Sequence, residues 1–228
     1  RGFLCSEEHY EAAQEIATQG IVLLQNKGNV LPINTAKARG AKLKVLVVGE
    51  NALKMMTVGG GSSSLKVQHE ISPFDGLKAR LAGVADVSYE RGYVGDVNGA
   101  YNGVTTGQDL SESRSAQQLI NDAVSKAREA DYVIVFGGLN KSDYQDCEGH
   151  DRKEYGLPYG QDALVEALAK ANAQTVFVNI SGNAVAMPWK DRVPAIVQGW
   201  FIGSEAGIAL AAVLSGDVNP SGKLPFTW

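Results

Sequence analysis

Between residues 142 and 158 the chain reads SDYQDCEGHDRKEYGLP, directly after the apolar run DYVIVFGG. Glu148, His150, Asp151, Arg152 and Glu154 crowd this short loop with carboxyl, imidazole and guanidinium groups. Such groups can exchange protons with a substrate or hold a polar ligand if the fold brings them to one place. Composition alone favours a solvated connection, because mixed charges in a loop usually face water. Position argues the other way. In an open α/β sheet ligands gather at the carboxyl ends of the strands, and the apolar run delivers the loop to that edge.

The other candidate motifs are weaker. Gly59, Gly60 and Gly61, followed by Ser62 and Ser63, come soon after a strand-like run, where such folds often hold phosphate. Neither GxGxxG nor GxxxxGK with Ser or Thr is present, so a dinucleotide fingerprint and a P-loop are both excluded. The glycines read equally well as a loop that needs positive φ or close approach, with ligand contact by Ser62 or Ser63 left open. Ser181, in NISGNAV, lacks the first glycine of a nucleophile elbow and has no evident histidine partner. His9, His69 and His150 stand in unrelated contexts with no metal-ligand spacing, and Cys5 and Cys147 form no CxxC. Trp189, Trp200 and Trp228 follow or end apolar runs, where burial in a core or interface is the usual use.

The elements that must position these residues alternate. Residues 6–25, SEEHYEAAQEIATQGIVLLQ, carry Ala13, Ile16, Ala17, Leu23 and Leu24 at helical spacing behind a Ser6 N-cap, which predicts one amphipathic helix stopped by Gly28 and Pro32. KLKVLVVGE follows as a continuous β-branched strand of the kind buried on both faces. Further strands are predicted at 85–92, 130–138, 173–182 and 193–200. Helices are predicted at 72–82, 113–130, 160–173 and 204–216, the first of them led by Ser72 before Pro73. Strands alternating with helices predict one doubly wound α/β domain over 1–228. Residues 93–111 have turn chemistry throughout and read as a long surface excursion.

The bulk numbers narrow the partners. A net charge of −4 over 228 residues, with Lys and Arg scattered, leaves no basic stripe for nucleic acid. No segment approaches the roughly 18 apolar residues of a membrane span. The chain starts at Arg1 without Met, almost directly at a helix, and stops at GKLPFTW, so a piece of a longer protein is expected.

Four strings, in order, give a resemblance. EAAQEIATQGIVLLQNKGNVLPI comes first, then KVLVVGENA with GGGSSS and ISPFDGLKARL, then EGHDRKEYGLPYGQDALVEAL, then SGNAVAMPW with AIVQGWFIGSEAGIALAAVLSGDVNPSGKLPFTW. Together they resemble the carboxy-terminal α/β sandwich domain of glycoside hydrolase family 3, the β-glucosidase-like enzymes. The resemblance implies a three-layer sandwich with a mostly parallel six-stranded sheet between helices, carried behind an amino-terminal barrel that this chain lacks. It implies a retaining, exo-acting β-glycosidase that removes terminal β-linked sugars with two carboxyl groups about 5 Å apart. The nucleophile, an Asp, belongs to the barrel. The acid/base falls on Glu148 of the EGxDR string, with Glu154 and Asp146 as fallbacks, and Asp151 and Arg152 lie beside the substrate or shape the loop. No cofactor or metal is implied. The expected partners are a β-glycoside and the barrel of the same protein, and a bacterial parent would place it in the periplasm or outside the cell. Without the barrel, Glu148 is expected to be exposed, mobile and nearly unperturbed, and the chain alone inactive. The alternative is a non-catalytic sugar- or nucleotide-binding α/β module.

Overall fold

The computed structural model describes residues 2–38, 40–58, 60–95 and 106–228. Six strands, β1 Val22–Asn26, β2 Leu43–Val48, β3 Ala85–Glu90, β4 Tyr132–Gly138, β5 Thr175–Ile180 and β6 Ala195–Gln198, form one sheet in the order β1-β6-β5-β4-β2-β3. Five run parallel and β1 alone is antiparallel, paired with β6. Every residue of β4, β5 and β6 is buried, as continuous apolar runs covered on both faces must be. The edge strand β3 alternates between buried and exposed positions instead.

Five helices cover the two faces: α1 Glu7–Gly20, α2 Pro73–Arg80, α3 Ala116–Ala127, α4 Gln161–Ala171 and α5 Ala206–Ser215. Ala17 of α1, Leu77 of α2 and Leu210 of α5 pack with Val45, Ile134 and Val178 on one side of the sheet. Ala123 of α3 and Leu164 and Leu168 of α4 pack with Leu46, Val133 and Phe177 on the other. This is the expected three-layer α/β sandwich. Ser72 caps α2 by accepting the Asp75 amide at 3.1 Å, with Pro73 in the first turn.

Two expectations fail. The single helix predicted over residues 6–25 ends at Gly20, and Val22–Asn26 is the edge strand β1. Apolar spacing continues through Leu23 and Leu24, but pairing with β6 satisfies the backbone along the sheet edge, and Ile16, predicted to face the core, is 73% exposed. Nor is the 93–111 segment wholly a surface excursion. Residues 96–105 lie outside the described residues, but at its flanks Tyr93 and Leu110 are buried, because Tyr93 packs with Val48 and Leu164 beneath α4.

The end of β4 is held on both sides. Gln161, the first residue of α4, accepts the Gly138 amide and donates to the Gly138 carbonyl, both at 2.8 Å. Asn51, just beyond β2, donates to the carbonyls of Gly137 (3.1 Å) and Leu139 (2.9 Å). The loop that follows therefore starts from a fixed point.

Helices α2 and α5 meet at glycine. A Cβ on Gly76 would stand 2.1 Å from the Gly207 carbonyl oxygen, and one on Gly207 would stand 2.2 Å from that of Ser72. Gly76→Ala therefore has to push the helices apart. A loss of about 1–3 kcal/mol is expected in urea unfolding, and an unchanged midpoint would refute the close approach.

Candidate functional site

Because β2, β4, β5 and β6 are parallel, their carboxyl ends lie along one edge, and the loops leaving them converge there. The 49–64 loop after β2 brings Gly60, Ser62 and Ser63. The loop after β4 brings Lys141, Asp146, Cys147, Glu148, Asp151 and Arg152, while Gly182 and Asn183 follow β5 and Phe201 follows β6. Together they line an open cavity of about 530 Å³. Of the residues singled out in the sequence, Glu148, Asp146, Asp151, Arg152, Ser62 and Ser63 are all here. Glu154 is not. It is exposed and lines an adjoining cavity of about 450 Å³ with Tyr144, Lys153 and Leu157.

Glu148 is exposed at this cavity, and its carboxyl is hydrogen-bonded and shifted from the ordinary glutamate value. Its amide donates to the Gly60 carbonyl at 2.9 Å, which ties the β4 loop to the glycine loop. Its Oε2 accepts from the Ser62 hydroxyl at 2.5 Å and from the Ser62 amide at 2.6 Å. These two donors, the hydroxyl first, hold the carboxyl below the usual glutamate range by stabilising its charged form. The expectation of a nearly unperturbed Glu148 missed this contact because its partner lies 86 positions earlier, on another strand's loop.

Asp146 has a different environment. It accepts the Gly182 amide and the Asn183 side-chain amide, both at 2.6 Å, and so joins the β4 and β5 loops. Burial pushes its carboxyl above the usual aspartate value, against the effect of those hydrogen bonds and of Arg152. Arg152 in turn donates from Nη2 to Asn183 Oδ1 (2.8 Å) and to the Ala184 carbonyl (2.7 Å), with its guanidinium 5.8 Å from the Tyr155 ring centroid. Arg152 is thus a brace between two loops. Cys147 donates to the His150 carbonyl at 3.3 Å, and His150 stacks on Tyr144 and pairs with Asp143 at 3.2 Å.

Sequence reasoning missed Lys141, Gly182, Asn183 and Phe201. Lys141 is half-buried with its ammonium 5.5 Å from the Phe201 ring, and burial pulls its pKa below the ordinary lysine value. The signal that finds them is the convergence of loops at the carboxyl edge, which sets the β5 and β6 loops beside the β4 loop and the glycines. The remaining candidates lie elsewhere. Ser181 is buried and donates to the Asn183 carbonyl at 2.7 Å, Trp189 is core and donates to Asp162 at 2.7 Å, and His69 pairs with Glu205 at 2.7 Å beside Tyr10.

The sequence model of the Glycosyl hydrolase family 3 C-terminal domain matches residues 21–228. The chain is 49% identical to Beta-glucosidase BoGH3A of Bacteroides ovatus, across all of this chain and 30% of that protein. It is 31% identical to Thermostable beta-glucosidase B of Acetivibrio thermocellus, across 97% of this chain and 26% of that one. It therefore spans less than a third of the length of either relative. Among solved structures, it superimposes on a β-glucosidase from Erythrobacter marinus with a TM-score of 0.78 and 32% identity, covering 97% of this chain and 30% of the other. A β-glucosidase from Kluyveromyces marxianus gives a TM-score of 0.85 over 98% of this chain and 43% of its own, at 21% identity, a likeness of fold.

Proposed function

We propose, since this chain belongs to glycosyl hydrolase family 3 as a C-terminal domain of that family, that it supplies the acid/base half of the active site of a retaining, exo-acting β-glucosidase. The observation that carries this is the contrast between its carboxylates. Glu148 is exposed at a cavity built by four strand ends, whereas Asp146 is half-buried with each of its two oxygens accepting a hydrogen bond from the β5 loop, and Glu154 faces a different cavity.

In this reading Glu148 gives its proton to the glycosidic oxygen as the bond to the anomeric carbon breaks, and an Asp from the rest of the protein takes that carbon from the opposite face. Water then attacks the glycosyl intermediate and loses its proton to Glu148, which restores the acid. The two carboxyl groups would stand about 5 Å apart. Asp151 lies beside the substrate, Arg152 braces the loop, and Ser63 is within the same cavity. The sugar released is terminal β-linked glucose, as the relatives' names suggest, and no cofactor takes part.

In this reading the nucleophilic Asp lies outside these 228 residues, so even an activated leaving group such as nitrophenolate has nothing here to displace it. The 228-residue chain alone is therefore expected to release no p-nitrophenol from p-nitrophenyl β-glucoside between pH 5 and 8, while the full-length protein turns it over. Turnover by the chain alone would overturn this division of labour, and binding without turnover by the full-length protein would favour a non-catalytic module.

A further inference from the structure

The glycine loop and the acid loop clip each other. The Glu148 amide donates to the Gly60 carbonyl at 2.9 Å, and two positions later Ser62 returns both of its donors to a single carboxylate oxygen, Oε2. Gly60 and Gly61 have φ of +88° and +100°, a backbone that side-chain-bearing residues rarely adopt, and this turn aims the Ser62 amide at the carboxylate. The two glycines are thus required by the geometry of the acid residue's seat, whatever else the loop touches.

We propose that Ser62 is the positioning residue for Glu148, seating Oε2 with its amide and hydroxyl and so fixing the carboxyl at the cavity. This rests on the reading of Glu148 as the acid/base. Before proton transfer the two Ser62 donors hold the carboxyl in place. After the proton passes to the leaving-group oxygen, the same two donors stabilise the carboxylate until the attacking water returns one. Ser62 thereby trades acid strength against the lifetime of the ionised state.

The test uses the full-length protein carrying Ser62→Ala, Ser62→Thr and Glu148→Gln. Donors on the carboxylate favour its charged form, so removing the hydroxyl raises the pH at which Glu148 loses its proton. The alkaline limb of kcat/KM in Ser62→Ala should move up by about one pH unit, with kcat for an alkyl β-glucoside falling about tenfold, and Ser62→Thr should restore both. Carbon-13 NMR of the Glu148 carboxyl in Ser62→Ala should show the same upward move without reference to turnover. An alkaline limb and a carboxyl titration both unmoved in Ser62→Ala, while Glu148→Gln abolishes that limb, would overturn the role of Ser62 alone. Persistence of the limb in Glu148→Gln would overturn the reading of Glu148 and this inference with it.

Discussion

Glu148→Gln in the full-length protein should lower kcat/KM for an alkyl β-glucoside by about 10²- to 10⁴-fold, the range that positioned acid–base catalysis contributes. The size of the loss should depend on the leaving group. An alkoxide needs a proton as the bond breaks, and glutamine has none to give. A nitrophenolate leaves with little help, so glycosylation survives while hydrolysis of the intermediate, which needs the base, slows. The expected signature is a burst of nitrophenol followed by a slow steady state, with added azide restoring turnover because a small anion attacks without a base. The seat itself should persist, since Ser62 can still donate to the glutamine carbonyl oxygen. Equal losses for alkyl and nitrophenyl substrates with no azide response would remove Glu148 from proton transfer and return attention to Asp146, whose carboxyl burial pushes upward.

The second large effect concerns stability. Glu50, the second residue beyond β2, is 1% exposed, and its Oε2 accepts from Arg91 Nη2 at 2.9 Å and from the Gly95 amide at 2.6 Å. Lys54 Nζ lies 3.5 Å from Oε1, and Lys54 and Arg91 are themselves buried. Glu50→Ala leaves two buried cations without their shared carboxylate. A loss of about 3–5 kcal/mol is expected from the urea unfolding midpoint, as for breaking a buried pair from one side. Glu50→Ala combined with Arg91→Met should recover part of it, because the stranded guanidinium is then gone. Loss of less than about 1 kcal/mol from the single change would show that water reaches the cluster. The site should respond too, since the 49–64 loop begins at this cluster and ends at the seat of Glu148.

The runs that became β2, β4, β5 and β6 were legible because a strand covered on both faces is apolar along most of its length, a signal that short sequence windows contain. The strand β1 was not. Val22, Leu23 and Leu24 continue the spacing of the preceding helix, and only β6, some 170 residues later, supplies the partner that makes them a strand. Tyr93 and Leu110 were similarly hidden among turn residues, since their burial depends on contact with distant elements rather than on their neighbours.

For the site, the sequence by itself determined the chemistry on offer: a string of carboxylates after a buried strand, three glycines with serines after another, and enough ordered motifs to mark a family. Residue type alone leaves Glu148, Asp146 and Glu154 equivalent, since they sit within nine residues of one another in the same polar loop, and only the resemblance of the EGxDR string puts Glu148 first. The tertiary structure separates them through parallel register. It brings the carboxyl ends of four strands together and so sets Asp146 against Gly182 and Asn183, Glu148 against Ser62, and Glu154 in another cavity. A carboxylate's role follows from the donors and the solvent around it, and here those donors come from other strands' loops.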